Sequence, residues 1–105
     1  MSDDSAVIRL IDAVSYQPGA IVSRKLATTP GGNISIFAFD AGEELSEHTT
    51  PHTALLHVLD GHAEITIDGV AHRVAAGEVI VLPPGHPHAV RAVERFRMAL
   101  TMLRA

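Results

Sequence analysis

The sequence contains no cysteine and no tryptophan, and only one tyrosine and three phenylalanines. The lack of cysteine excludes disulfide bonds, thiolate metal sites and a thiol nucleophile. With so few aromatic side chains, a hydrophobic core has to be built mainly from Val, Ile, Leu and Ala. A Gly-x-Ser-x-Gly segment is also missing, so a nucleophile elbow of the hydrolase type is not expected.

Basic residues and long apolar runs are scarce as well. Eight Lys and Arg stand against twelve Asp and Glu, and the net charge of −4 argues against nonspecific binding to duplex DNA. No apolar run reaches the length needed to span a membrane. The acidic start, Met1–Ser5, lacks the basic flank of a signal peptide. These features predict a soluble, cytoplasmic protein with neither a membrane nor a nucleic acid as its partner.

What the sequence does contain is a succession of short apolar segments separated by turn residues, about every ten positions. The predicted strands are 20–28, 33–40, 54–59, 62–67, 70–74, 79–82 and 95–102. With 47% hydrophobic residues over 105 positions, this pattern predicts one all-β domain that forms a sandwich or a barrel. We assign the barrel to residues 20–103 and an N-terminal extension to residues 1–19, in which the segment 7–14 is ambiguous.

Local signals make the strand pattern more specific. Asp-Gly pairs at Asp60–Gly61 and Asp68–Gly69 each predict a tight hairpin between the flanking strands. The segment Val79–Leu82 is apolar at every position, so we expect both of its faces to be covered. A chain of this size cannot cover both faces alone, which predicts a homodimer.

Two stretches, Gly42 to Gly61 and Gly77 to Ala92, resemble the paired signature motifs of the cupin family. In the second stretch, the motif positions are matched by Gly77, Pro83, Gly85 and His88, while Ala92 stands in place of a closing Asn. In the first stretch Gly42, His48 and Gly61 match. Thr50 replaces the motif's second His, and Ala54 replaces its Glu.

The resemblance implies a cupin-type double-stranded β-helix, or jelly-roll barrel, with a metal ion held inside and a homodimer formed by sheet packing. Cupin sites usually use three His and one carboxylate, so two of the four ligand positions are vacant in this chain. His48 and His88 are the ligands that the motifs imply. His52 is the best substitute for a third, because residues 48, 50 and 52 share a face in extended chain; the alternative is a surface histidine.

A site made of His48, His52 and His88 would suit a divalent transition metal such as Zn, Ni, Fe, Cu or Mn. It would keep open positions for a small-molecule ligand, expected to be an anionic or oxygen-rich metabolite. The alternative is a metal-free, ligand-binding or sensing cupin with a degenerate site. The sequence does not decide whether the protein is an enzyme. We expect His57 at a sheet or dimer interface and His86 at the barrel mouth.

Overall fold

The computed structural model describes residues 6–105 and shows an all-β jelly-roll barrel. A 3-10 turn at Leu10–Asp12 precedes nine strands. The strands are β1 Ile21–Thr29, β2 Gly32–Phe39, β3 Glu44–His48, β4 Thr53–Asp60, β5 His62–Ile67, β6 Val70–Ala75, β7 Val79–Leu82, β8 His88–Arg91 and β9 Phe96–Leu103. The strand predicted from the sequence at 79–82 is confirmed with its bounds, and so is the one at 62–67.

The strands form two antiparallel sheets that enclose the core. One sheet has five strands in the order β1-β2-β9-β4-β7, and the other has four in the order β3-β8-β5-β6. Strand alternation turns one face of each sheet inward, where Phe39 stacks on Phe96 with ring centroids 4.6 Å apart. The core is otherwise largely aliphatic, in agreement with the shortage of aromatic residues.

The two Asp-Gly pairs have different structures. Asp68 and Gly69 both have positive φ and join β5 to β6 in a tight hairpin, as predicted. The hairpin predicted at Asp60–Gly61 is wrong, because β4 lies in the five-stranded sheet and β5 in the four-stranded sheet. Here the chain crosses between sheets, and a Cβ at Gly61 would clash with the backbone oxygen of Arg95. Glycine is therefore required at this crossing for close approach as well as for its backbone angles.

Strand β7 is an edge strand whose outer face is open. The expectation that both faces are covered is wrong for the single chain, because Val79 and Val81 are 54% and 53% exposed. Their neighbours Ile80 and Leu82 turn inward, and Leu82 is buried. Among residues 6–105, the outward-facing side chains of Val79 and Val81 are therefore left largely uncovered.

The N-terminal strap, residues 9–19, covers the other end of the same outer face. Val14 is buried there against Ile36, Ala38 and Ala99, and these residues form a second, smaller core. Polar contacts around Tyr16 hold the strap: its hydroxyl donates to Asp60, and the guanidinium of Arg97 lies 4.1 Å from the Tyr16 ring centroid. Within residues 6–105, helical structure long and apolar enough to cross a membrane does not occur.

Candidate functional site

Two histidines meet where the four-stranded sheet faces the interior of the barrel. Strands β3 and β8 pair with His48 opposite His88, and the Nε2 atoms of the two rings are 3.0 Å apart. His88 is only 4% exposed, whereas His48 is exposed. The pair therefore has one ring in the barrel wall and the other at the opening to solvent.

The loops on either side of the pair are joined to each other. The backbone N–H of Gly85 donates to the backbone oxygen of Thr50 at 2.8 Å, which links the β7–β8 loop to the β3–β4 loop. At the other end of β3, the N–H of Ala92 donates to the oxygen of Glu43. These bonds hold β3 and β8 together on both sides of a local irregularity between Leu45 and His48.

When both rings are neutral, the hydrogen bonds assign their proton positions. His48 Nδ1 lies 2.9 Å from the backbone oxygen of Ser46, which can only accept, so Nδ1 carries the proton and Nε2 has a free lone pair. His88 Nε2 must then donate to His48 Nε2. That leaves His88 Nδ1 as a buried acceptor, and this atom has no hydrogen-bond partner. A buried polar atom without a partner destabilises the free site.

The surroundings of His88 favour the neutral imidazole. Burial lowers the pKa of His88 below its ordinary value of 6.5, and the nearby His48 ring lowers it further. The backbone oxygen of His86 opposes these two effects. A neutral imidazole is the charge state that binds a metal ion, so the lowered pKa of His88 favours metal binding.

Ala54 and Thr50, which replace the motif's Glu and its second His, contribute to packing and to turn formation. Ala54 is buried in the barrel core, and its methyl group offers no donor atom to a ligand. The Thr50 hydroxyl accepts a hydrogen bond from the backbone N–H of His52 at 3.2 Å and so stabilises the β3–β4 turn. Neither Ala54 nor Thr50 therefore takes over the role of the ligand that it replaces in the motif.

The predicted third ligand, His52, is engaged elsewhere. Its Nδ1 atom accepts a hydrogen bond from the backbone N–H of Ala105 at 3.2 Å. Among residues 6–105, groups of three or more His, Cys, Asp or Glu side chains arranged to hold a metal ion do not occur. The structure thus brings His48 and His88 together but does not bring His52 into a cluster with them.

Other histidines form carboxylate pairs outside the barrel centre. His86 Nδ1 donates to Asp68 Oδ2 at 2.6 Å, and His62 Nδ1 donates to Glu94 Oε1 at 2.8 Å. The Asp68–Gly69 motif predicted the turn, but not that the turn meets the His86 loop, because this contact depends on the pairing of β5 with β8.

The central pair offers two imidazole nitrogens to a metal ion. The two facing Nε2 atoms, 3.0 Å apart, are imidazole nitrogens, a donor type suited to transition metal ions, and His48 and His88 would hold such an ion between them. The Ser46 carbonyl that orients His48 is also the kind of outer partner that metal-binding histidines use. The two imidazoles fit a transition metal ion, and the remaining ligands have to come from outside the pair.

Comparison with known proteins supports the resemblance found in the motifs. Residues 35–103 match the family described as the cupin domain. A search of curated proteins found no match. Among solved structures, a conserved protein of unknown function from Streptococcus pyogenes is 39% identical with a TM-score of 0.91, and the match covers 96% of this chain and 89% of that one.

Two further solved structures are similar. A cupin 2 conserved barrel domain protein from Leptotrichia buccalis is 40% identical with a TM-score of 0.89, over 92% of this chain but only 47% of that one. A cupin superfamily protein from Desulfitobacterium hafniense is 27% identical with a TM-score of 0.90, over 96% of this chain and 93% of that one. The family match, the barrel topology and the positions of His48 and His88 agree, and this chain belongs to the cupin family.

Proposed function

We propose that this chain binds a divalent transition metal ion through His48 and His88 and presents it to a small anionic or oxygen-rich ligand. The observation that carries the proposal is the convergence of the two Nε2 atoms to 3.0 Å on paired strands. A hydrogen bond between two imidazoles explains the distance in the free protein. It also leaves His88 Nδ1 without a hydrogen-bond partner among the described residues.

Proton positions have to change when the ion binds. His48 already offers a lone pair at Nε2, because its Nδ1–H donates to Ser46. His88 offers one at Nε2 only after its proton moves from Nε2 to Nδ1.

The charge of the site determines the kind of ligand it favours. Two neutral imidazoles leave the full positive charge of the ion uncompensated, and Ala54 supplies no carboxylate. When bound, such an ion can polarise a carbonyl or carboxylate oxygen as a Lewis acid. His48 is exposed, so a ligand can reach the pair from the solvent side. An anionic ligand with two oxygen donors would fill open positions and neutralise charge.

Metal content measured on untagged protein tests the proposal. After incubation with Zn, Ni, Fe, Cu or Mn and removal of excess, we expect about one equivalent per chain for at least one metal. His48→Ala is expected to abolish binding without loss of fold, because His48 is exposed. His72→Ala is the matched control, since His72 is an exposed histidine on the distant strand β6. Less than about a tenth of an equivalent with all five metals would contradict the proposal.

His52 is tested by the same measurement. If His52 leaves Ala105 and joins the ion, His52→Ala weakens binding at least about tenfold, as loss of a third ligand should. If it does not join, His52→Ala binds like the His72→Ala control. Either result leaves the roles of His48 and His88 unchanged and defines how many positions remain for the ligand.

A metal-free ligand-binding cupin is the second candidate. It is favoured by the two vacant positions, since Ala54 is part of the core and the Thr50 hydroxyl is bonded to the backbone of His52. In that case, a small carboxylate would bind with equal affinity in the presence of EDTA and of metal. Binding that depends on added metal and is lost in His48→Ala would contradict this alternative.

A further inference from the structure

Strand β6 forms one edge of the four-stranded sheet, and among residues 6–105 it pairs with β5 alone. The hairpin that joins the two strands has two loop residues, Asp68 and Gly69, both with positive φ. In such a hairpin the residues next to the loop exchange both backbone hydrogen bonds, and bonded and non-bonded pairs then alternate along the strands. Counted from the pair of Ile67 with Val70, the non-bonded positions of β6 are Ala71, Arg73 and Ala75.

Backbone contacts at the end of β6 follow the same alternation. The N–H of Ala75 donates to Glu78 Oε1 at 2.8 Å, and the backbone oxygen of Ala75 accepts from the N–H of Glu78 at 2.9 Å. The next residue, Ala76, donates back to the oxygen of Gly61 at 3.0 Å. Glu78 therefore covers both backbone groups of Ala75 and closes this end of the edge.

The backbone N–H and C=O groups of Ala71 and Arg73 point away from β5, and we call these four groups the open edge. Both residues are exposed to solvent. A row of unpaired N–H and C=O groups is a template to which an extended segment can add as a further strand. Because the two residues are two positions apart, both can bond to the same added strand.

Two clefts, each of about 220 Å³, flank the open edge. The inner cleft is formed by residues of both β6 and β7 and includes Val74, Val79 and Ile80. The outer cleft lies on the outside of the four-stranded sheet and includes His62 and Arg73. Successive side chains of an extended segment point to opposite sides, so one side chain would enter the inner cleft and the next one the outer cleft.

Arg73 gives the outer cleft a positive charge that the chain does not pair. Glu64 lies opposite Arg73 on β5, but its carboxylate is 4.0 Å from Arg91 on β8. His62, in the same cleft, is bonded to Glu94. Arg73 itself forms no ion pair with residues 6–105. The outer cleft therefore suits an acidic side chain, whereas the valine and isoleucine side chains of the inner cleft suit an aliphatic one.

We propose that the open edge of β6 binds an extended segment of a partner protein in which an acidic and an aliphatic residue are neighbours. The backbone of the segment bonds to Ala71 and Arg73, the aliphatic side chain enters the inner cleft, and the acidic side chain contacts the Arg73 guanidinium. In this kind of recognition, backbone hydrogen bonds provide affinity and the alternating clefts provide specificity. The proposal is independent of whether the barrel holds a metal ion.

NMR titration of the isotope-labelled chain, in EDTA, with the acetylated and amidated peptide Ser-Thr-Glu-Val-Thr-Ser tests the proposal. We expect saturable shifts of the Ala71 and Arg73 amide signals with a dissociation constant of about 0.1–1 mM, because a few backbone hydrogen bonds give modest affinity. The same peptide methylated on its central backbone nitrogens cannot donate and should bind at least about tenfold more weakly. A peptide with Gln in place of Glu should bind about threefold more weakly.

Variants of the chain test each contact. Ala71→Pro removes one N–H of the open edge without removing a bond to β5, so it should weaken binding at least about tenfold and keep the fold. Arg73→Gln should weaken binding of the Glu peptide about threefold and leave binding of the Gln peptide unchanged. Arg24→Gln is the matched control, because Arg24 is an exposed arginine on β1, an edge strand of the other sheet.

Several results would overturn the proposal. They are the absence of saturable shifts at about 5 mM peptide, equal binding of the methylated peptide, and shifts centred on β1 instead of β6. Dissociation of a dimer of the free chain by Ala71→Pro would also overturn it, because a second copy would then occupy the open edge. If circular dichroism shows that Ala71→Pro loses its strands, the methylated peptide decides, since it leaves the chain unchanged.

Discussion

The substitution Ala54→Glu restores the missing carboxylate and tests whether a side chain at position 54 can act as a metal ligand. Ala54 is 2% exposed and lies in the core in register with Leu82 on β7 and Met102 on β9. It also occupies the position at which the cupin motif has its Glu. The substitution therefore adds a carboxylate to an interior that the free chain fills with hydrocarbon.

Two costs add up in the metal-free variant. Extra atoms in a packed core cost about 1–3 kcal/mol. A carboxyl group without a hydrogen-bond partner adds about 1–3 kcal/mol more when its pKa rises and it is buried in the neutral form. Because a domain of this kind has only about 5–15 kcal/mol of stability, we expect a large fall in the midpoint of thermal unfolding for Ala54→Glu.

Metal should reverse much of this loss. At a metal concentration about 100 times the dissociation constant, binding to the folded state restores about 2.7 kcal/mol. Ala54→Gln has nearly the same volume but a poorer ligand, so it should be destabilised and recover much less. Ala63→Glu places the same group at a fully buried core site on β5 outside the motif, so metal should stabilise it no more than it stabilises the unsubstituted chain.

Thermal unfolding of the three variants, with EDTA or with each metal, gives the result. Equal recovery of Ala54→Glu and Ala54→Gln would refute the reasoning, since the carboxylate would then contribute nothing as a ligand. A gain from metal in Ala63→Glu that exceeds the gain of the unsubstituted chain would refute it as well, because a carboxylate outside the motif would then also act as a ligand. If Ala54→Glu does not fold without metal, refolding in its presence is the readout.

Three other predictions depend on single residues. Because the pKa of His88 is lower in the folded chain than in the unfolded chain, His88 contributes stability that is present above pH 6.5 and is lost as the pH falls below that value. Urea unfolding in EDTA should therefore give a smaller free energy of unfolding at pH 5.5 than at pH 8. A pH response that is unchanged in His88→Gln would contradict this prediction. Burial and the hydrogen bond to Asp60 raise the pKa of Tyr16 to about 12. Ultraviolet titration of this single tyrosine should give that value, and a lower pKa in Asp60→Asn. A pKa near 10 in the unsubstituted chain would show that the strap is detached. Gly61→Ala should destabilise the fold by at least about 2 kcal/mol more than Gly77→Ala. Both glycines have positive φ, but only at Gly61 would an added Cβ clash with neighbouring backbone atoms. Equal decreases in the free energy of chemical unfolding would contradict the close approach at Gly61.

The positions of most strands could be predicted from local patterns alone. Alternation and turn residues placed β5 and β7 at their observed bounds. The same local signal failed at Asp60–Gly61. An Asp-Gly pair favours a turn but does not determine whether the next strand pairs with the previous one or crosses to the other sheet. That choice depends on which sheet offers an unpaired edge.

The candidate site was only partly predictable. The motif spacing identified His48 and His88, and the structure shows their rings in contact. For His52, strand alternation suggested a common face with His48, but a turn at Thr50 breaks the extended chain and the His52 ring bonds to Ala105. The partner of His86 also depended on how distant loops meet.

By itself, the sequence determined the all-β class, the two cupin motifs and the pair of histidines most suited to a metal, because hydrophobic period, turn residues and spacing are local properties of the chain. Only the tertiary structure decided that His48 and His88 share one hydrogen bond while His52 stands apart, and that Val79 and Val81 lie exposed at a sheet edge. The reason is that ring-to-ring distances and burial arise from strand pairing between segments far apart in the chain, and local patterns do not specify such pairing.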